Sequence, residues 1–212
     1  MEINGEKLTR QHLIHQKGCD RAKFNADIIY DALIDEVCWI LTYKGKLLEM
    51  SENYKYILGQ IALWYANDER FSGDLHKGLM IRGSVGTGKT VMAEALKGVI
   101  FLVERLQANI INAVDLQNMY SRQDEDGILN LKNRKYTIID DLGVETTEVK
   151  NWGNVREPFN DVFDARYRSN RLTVITTNLR PSEIEEKYGT RIIDRFRECM
   201  NDLILDGKSL RK

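Results

Sequence analysis

Proline is almost missing, with two residues in 212, and cysteine is scarce, with three. So little proline leaves no segment with the composition of a stiff or disordered linker. Cys19, Cys38 and Cys199 are far apart and odd in number. They lack the paired spacing of a zinc or dithiol site, which predicts reduced thiols in a cytoplasmic protein. No apolar run approaches the roughly 20 residues of a membrane span. The Met1 end is polar and charged, unlike a secretory leader. An excess of one charge sign is missing too. Lys and Arg total 31 against 32 Asp and Glu, a formal net charge of −1, which gives no global electrostatic case for nucleic acid or membrane. Repeats and low-complexity tracts are absent. A chain of this length buries about 70% of its unfolded surface and needs no disulfide or metal to hold it.

What is present is ordered by hydrophobic period. Phe24, Ile28, Ile29, Ala32, Leu33, Val37, Ile40 and Leu41 recur at three and four, predicting a helix over 22–43 with a wide apolar stripe. A second helix is expected over about 51–67, with Ser51 as N-cap and Tyr54, Ile57, Leu58, Ile61, Trp64 and Tyr65 as its stripe. Both stripes read first as core, and the first helix is also a candidate surface for a partner protein. From residue 78 the pattern changes to strand–helix alternation, which predicts a parallel sheet covered by helices. Strands are expected near 78–82, 109–113, 136–140, 172–177 and 202–206. Helices are expected near 90–107, 115–121, 154–168 and 181–199, and 122–134 reads as a surface loop with a short helical piece.

Residues 83–90, Gly83-Ser84-Val85-Gly86-Thr87-Gly88-Lys89-Thr90, fit the phosphate-binding pattern of Gly, four residues, then Gly-Lys-Ser/Thr. An apolar run precedes the loop, and Val91 and Met92 open a helix-forming segment after it. Glycines let successive N–H groups turn inward toward anionic oxygens. The helix N-terminus adds partial positive charge. Lys89 supplies a full charge to the phosphates of ATP, and the Thr90 hydroxyl is suited to magnesium. The alternative, a Gly-rich turn met by chance, does not explain strand, loop and helix in the right order.

Three further segments complete the pattern. Tyr136-Thr137-Ile138-Ile139-Asp140-Asp141 is an apolar strand ending in two acids. Such a strand is expected beside the one that feeds the phosphate loop, with Asp140 near the magnesium and Asp141 orienting the attacking water. Leu172–Thr177 is a β-rich strand ended by Asn178, whose amide can hold that water or meet the γ-phosphate, although Asn is also a common turn former. In Gly189–Arg197, Arg191 and Arg195 are one helical turn apart, and an unpaired guanidinium must face outward. The ordinary partners expected for this face are Asp194 and Glu198. The sharper reading makes Arg195 a finger reaching the next subunit's nucleotide.

Together these segments resemble the AAA+ ATPases, and within them the DnaC/IstB-like helicase-loader family. The resemblance covers about 51–212 and rests on Thr137–Glu145, Ile175–Leu179 and above all Tyr188–Phe196. It implies an α/β P-loop NTPase fold, a parallel five-stranded sheet flanked by helices. The resemblance also implies that the lid domain is absent or vestigial, with no full helical lid expected after the last strand. A helical N-terminal extension, 1–50, would precede the ATPase domain at 51–212. By matched position, Lys89 and Thr90 belong to Walker A, Asp140 and Asp141 to Walker B, Asn178 to sensor 1, and Arg195 to the box holding the trans-acting finger. Ser209-Leu210-Arg211 resembles a terminal Ser-Tyr-Arg, making Arg211 a nucleotide contact. Walker B ends Asp-Asp where many AAA+ proteins have Asp-Glu, which implies slow hydrolysis.

The resemblance implies an ATP- and magnesium-dependent protein of DNA replication or mobile-element maintenance. It would form a homo-oligomer when ATP-bound and act on a replicative helicase, or on a transposase as a transposition regulator. In that group the segment matching 115–131 touches single-stranded DNA. Here Asp124-Glu125-Asp126 works against such contact, and Arg122 is one of few cations nearby. Two other classes stay open: a nucleotide-dependent binding module with little hydrolysis, and a small-molecule P-loop kinase, for which 123–133 makes a poor lid.

Overall fold

The structure, a computed structural model, describes residues 2–3, 6–7, 22–46, 50–151 and 154–207. Two short strands, β1 (Glu2–Ile3) and β2 (Glu6–Lys7), pair antiparallel at the start. Helices α1 (Ala26–Tyr43) and α2 (Glu52–Ala66) follow. Each opens on a side-chain cap. Asn25 accepts from the N–H groups of Asp27 and Ile28, and Ser51 accepts from that of Tyr54 at 3.1 Å.

The remainder alternates as expected. Strand β3 (Gly78–Arg82) leads into α3 (Lys89–Glu104), and β4 (Asn109–Asn112) into α4 (Ala113–Arg122) and α5 (Glu125–Asn133). Strand β5 (Tyr136–Leu142) is followed by a hairpin of β6 (Val149–Asn151) and β7 (Asn154–Arg156), then by α6 (Pro158–Arg168). The chain closes through β8 (Leu172–Thr177), α7 (Pro181–Tyr188), α8 (Thr190–Cys199) and β9 (Met200–Ile204).

Five strands form one parallel sheet in the order β4-β5-β8-β3-β9. Alternation along the central strands sorts the core into two layers. Leu79, Ile81, Ile138 and Val174 face a cluster filled by α1, α2 and α3. Met80, Ile139 and Ile175 face the other way, onto Phe159, Phe163, Ile184, Ile192 and Phe196 of α6, α7 and α8. The α1 stripe of Ile29, Leu33, Val37 and Ile40 is buried in the first of these layers. Helix α1 therefore shares one core with α2 and α3.

Several expectations are corrected. Strand β5 does not lie beside β3, because β8 stands between them. Its Thr176 and Thr177 supply the polar contacts that make the intervening strand fit. The segment expected as a helix over 154–168 begins as β7, and the helix starts only at Pro158. Proline favours the first helical turn and pushes the residue before it into extended backbone, as seen for Glu157. The helix expected over 181–199 is two helices, broken at Gly189, whose φ of 87° is the left-handed region that favours glycine. Strand β9 starts two residues earlier than expected. Most of 122–134 is the regular helix α5, with Ile128 and Leu131 buried.

Arg166 is fully buried and ties three elements together. Its guanidinium donates to the carbonyls of Leu131, Arg134 and Leu172 at 2.7, 2.9 and 2.5 Å, and to the Thr173 hydroxyl at 2.9 Å. A buried cation is tolerated only with such satisfaction, and truncation strands several carbonyls at once. Arg166→Ala is expected to lose ~3 kcal/mol or more, seen as a Tm lower by roughly 6–12 °C in thermal unfolding.

Candidate functional site

The site is built where β3 ends. The Gly83 N–H donates to the Thr177 carbonyl at 3.2 Å, and the Leu205 N–H to the Arg82 carbonyl at 2.8 Å, so neighbouring strand ends on both sides brace the loop entrance. Gly86 and Gly88 take φ values of 84° and 98°, which curl 83–90 tightly before α3 begins at Lys89. Ser84 and Val85 form the exposed rim, while Thr87 is buried and donates to the Ser84 carbonyl at 3.0 Å. Val91 lies half-buried in the first turn of α3.

Lys89 is only 4% exposed, and its ammonium donates to the carbonyls of Gly83 and Ser84, both at 2.8 Å. Those acceptors hold a buried cation at the mouth of the 83–90 loop. One residue on, the Thr90 hydroxyl lies 3.1 and 3.0 Å from the two carboxylate oxygens of Asp140. The contact reaches across β8, and β8 takes part in it. The Thr176 hydroxyl donates to Asp140 at 2.6 Å and accepts from the Asp141 N–H at 2.9 Å. The Thr177 hydroxyl donates to the Leu142 carbonyl at 2.6 Å.

These threonines stitch down an irregular strand end. The β5–β8 register shifts between Ile139 and Leu142, and Asp141 adopts φ 54°. A non-glycine residue in that region costs of order 1 kcal/mol and persists where its surroundings hold it. Burial pushes the Asp140 carboxyl above the usual carboxylate range, and the charges of Asp141 and Glu94 add to this. Hydrogen bonds from Thr176 and Thr90 pull it partly back. A buried carboxylate and a hydroxyl in contact are hard oxygen donors of the kind magnesium takes. Among the described residues no group of three or more His, Cys, Asp and Glu is arranged to hold a metal, so magnesium would depend on Thr90, Asp140, water and phosphate oxygens.

The other expected residues fall in three places. Asn178 is exposed, one residue beyond the Thr177 that braces Gly83, and so stands beside the loop. Arg195 lies elsewhere, on α8, paired with Asp164 of α6 and set 5.0 Å from the Tyr167 ring centre. Its partner is thus neither Asp194, which pairs with Arg197, nor Glu198, which accepts from the Tyr167 hydroxyl. Arg191 reaches the same Asp164 at 3.1 Å, as neighbours one helical turn apart should. Arg211 lies outside the described residues. Sequence reasoning missed Thr176, Thr177 and Asp164. The threonines were read as β-formers, and Asp164 carried no local signal.

Fold and site together give an α/β architecture of the P-loop kind, a five-stranded parallel sheet flanked by helices with the 83–90 loop between β3 and α3. No family model matches the chain. It is 30% identical over 136 residues to the replicative helicase loader DnaC of Escherichia coli K12, covering 61% of this chain. The chain spans about half the length of the curated relatives it matches, 53%. A crystal structure of the DnaC helicase loader superimposes with a TM-score of 0.60 at 21% identity, covering 76% of this chain and 94% of that one. A crystal structure of DnaI gives 0.57 at 18%, covering 87% and 96%. The replication initiator DnaA bound to AMPPCP and single-stranded DNA gives 0.56 at 18%, covering 76% and 50%. The chain is thus similar in sequence to DnaC over part of its length, and its fold is that of the DnaC, DnaI and DnaA structures. Among its described residues no helix is long and apolar enough to cross a membrane.

The raised carboxyl of Asp140 sets a sign for stability. An unfolded Asp ionises near 3.9, whereas folded Asp140 resists ionising. The penalty is absent below the unfolded pKa, grows as pH rises toward the folded value, and is complete above it. Asp140→Asn is therefore expected to raise the Tm of metal-free protein at pH 7 by roughly 2–4 °C, the response to ~1 kcal/mol in a domain of this size. The gain should shrink as pH falls toward about 4. Calorimetry in chelator checks it.

Proposed function

We propose that this protein binds and slowly hydrolyses ATP and acts as a loader for a replicative helicase. The observation that carries this reading is the convergence of Thr90, Asp140 and Thr176 at the first turn of the helix that follows the 83–90 loop. Lys89 would exchange the Gly83 and Ser84 carbonyls for β- and γ-phosphate oxygens as ATP enters. Thr90 and Asp140 would hold magnesium, which when bound neutralises phosphate charge. Asp141, fixed by Thr176, orients water for in-line attack on the γ-phosphorus and takes its proton. The bond to the β,γ-bridging oxygen breaks, leaving ADP and phosphate. Asn178 at the loop's edge would contact the γ-phosphate or that water.

Arg195 would act in trans. To do so it must leave Asp164 for the phosphates of the next subunit, which ties turnover to assembly of a homo-oligomer. The loader and nucleotide readings, rather than the trans-acting one, are supported by the likeness to DnaC, a replicative helicase loader, and to DnaA, solved with AMPPCP. The outer face of α1 suits a partner protein. Ile28, Trp39 and Tyr43 are 65%, 66% and 81% exposed, with the last two rings stacked at 5.9 Å. We assign that face to the helicase, or to a transposase if the chain serves a mobile element. Single-stranded DNA, which DnaA carries in its solved complex, is a weaker proposal here because Asp124, Glu125 and Asp126 open α5 with acid.

A second reading is supported by Asp141 itself. It is one methylene shorter than Glu, and a side chain that falls short of the water would leave a nucleotide-dependent binding module. One assay separates the readings. Phosphate release from ATP, with no acceptor present, is expected to rise faster than linearly with protein concentration. Lys89→Ala should abolish it. Arg195→Ala should lower it by about 10³ or more while nucleotide still binds. Linear concentration dependence with Arg195→Ala unaffected would sink the trans-acting arginine, and wild-type binding without release selects the binding module.

A further inference from the structure

Beyond the loop and its acids lies a buried polar cluster that the hydrolysis scheme does not use. The turn after Asp141 is closed by the Val144 N–H donating to the Asp141 carbonyl at 3.4 Å, and by the Gly143 N–H donating to Glu145 Oε2 at 2.9 Å. Glu145 is 5% exposed, and its other carboxylate oxygen accepts from the Tyr188 hydroxyl. The Lys187 ammonium donates to the carbonyls of Gly143 and Glu145, the latter at 2.6 Å. Leu179 packs over Gly143, where a Cβ would meet its side chain at 2.7 Å, and Gly143 itself takes a φ of 114°. Burial and the Glu145 carboxylate both push the Tyr188 phenol upward, so its proton stays in place as the donor.

Burying a carboxylate costs several kcal/mol unless it is fully paired, and an apolar side chain of similar size would pack this position without that cost. The cluster is therefore poorly explained by stability alone. Its geography gives a better account. On one side the turn runs straight back to Asp141. On the other, Tyr188 is the last residue of α7, Gly189 is the single residue of the break, and α8 begins at Thr190 with Arg191 and Arg195 on it. Two strong hydrogen-bonding residues at the end of α7 hold the acid-bearing turn, and the next helix carries the arginine.

We propose that Glu145, Lys187 and Tyr188 are positioning residues that join the turn carrying Asp141 to the helix carrying Arg195. A shift of the turn when nucleotide enters passes through Tyr188 and the Gly189 break into α8. This rests on the nucleotide reading of 83–90. The joint would let each subunit's own nucleotide state set how it offers its arginine to its neighbour.

The test is hydrogen exchange read by mass spectrometry on the full chain, with and without magnesium and AMPPCP, a triphosphate that is not hydrolysed. In the wild type, protection should rise at 83–91, at 141–146 and at 187–197. Tyr188→Phe removes one hydroxyl and keeps the ring that packs on Phe159 at 5.0 Å, and Glu145→Gln keeps the side-chain volume. Both should retain the response at 83–91 and lose about fivefold or more of it at 187–197. If 187–197 responds equally in both variants, or is silent in a wild type whose 83–91 responds, the joint is wrong and the nucleotide reading stands. Silence at 83–91 overturns the nucleotide reading and the joint with it.

Discussion

The structure turns on one buried carboxylate. Asp140 sits at the bulged end of β5, deprived of water, and is tolerated because two hydroxyls meet it, Thr90 from the phosphate loop's helix and Thr176 from β8. Remove either hydroxyl and a charged group loses part of its compensation. Keep both and three segments far apart in sequence are fixed within hydrogen-bond reach. The arrangement is held by both hydroxyls, yet burial still pushes the carboxyl above the usual carboxylate range. Under the proposed function that tension would favour magnesium, since a carboxylate already at ease would gain little from it.

The strand order follows from the same constraint. With β8 between β3 and β5, Asp140 cannot be next to the loop by strand adjacency, and the gap is bridged through side chains of the middle strand. Thr176 is suited to this as few residues are. Its branched Cβ fits a fully buried strand, and its hydroxyl donates to Asp140 while accepting from the Asp141 N–H. One hydroxyl therefore places both acids. Thr177 does the corresponding work for the backbone on either side, holding the Leu142 carbonyl by its side chain and the Gly83 N–H by its own carbonyl.

Much of this was legible in the chain. The loop at 83–90 has a fixed spacing because its chemistry is local, and helices α1 and α2 announce themselves by period, α2 also by its Ser51 cap. The five strands were found because a sheet covered on both faces reads as short apolar runs. What was hidden is what depends on contacts between segments. The order of strands leaves no mark in any one of them, so β8 was not expected between the acids and the loop. Arg166 looks like a surface charge in a segment rich in charge, yet it is buried, because its partners are carbonyls that any sequence supplies. The break at Gly189 was visible as a glycine, but the helical period on both sides of it outweighed one residue. The β6–β7 hairpin was missed for the same reason, since a long helical pattern was extended backward past Pro158.

The arginine cluster shows how position and charge constrain the proposed assembly. Asp164 alone faces Arg168 at 3.6 Å, Arg191 at 3.1 Å and Arg195 in closer contact. Three guanidinium groups thus share one carboxylate where α6 and α8 meet. Arg168 and Arg191 are each 68% exposed and shed most of their share to solvent, whereas Arg195 is only 13% exposed and cannot. The Tyr167 ring beside it offers the weaker attraction of an aromatic face. A chain folded alone thus holds Arg195 in the least hydrated and most crowded place of the three. An anion brought up from outside, such as a triphosphate seated on another copy, would relieve that crowding as it took the guanidinium. In the proposed assembly Arg195 would trade the Asp164 carboxylate for a phosphate oxygen, leaving Asp164 to Arg168 and Arg191.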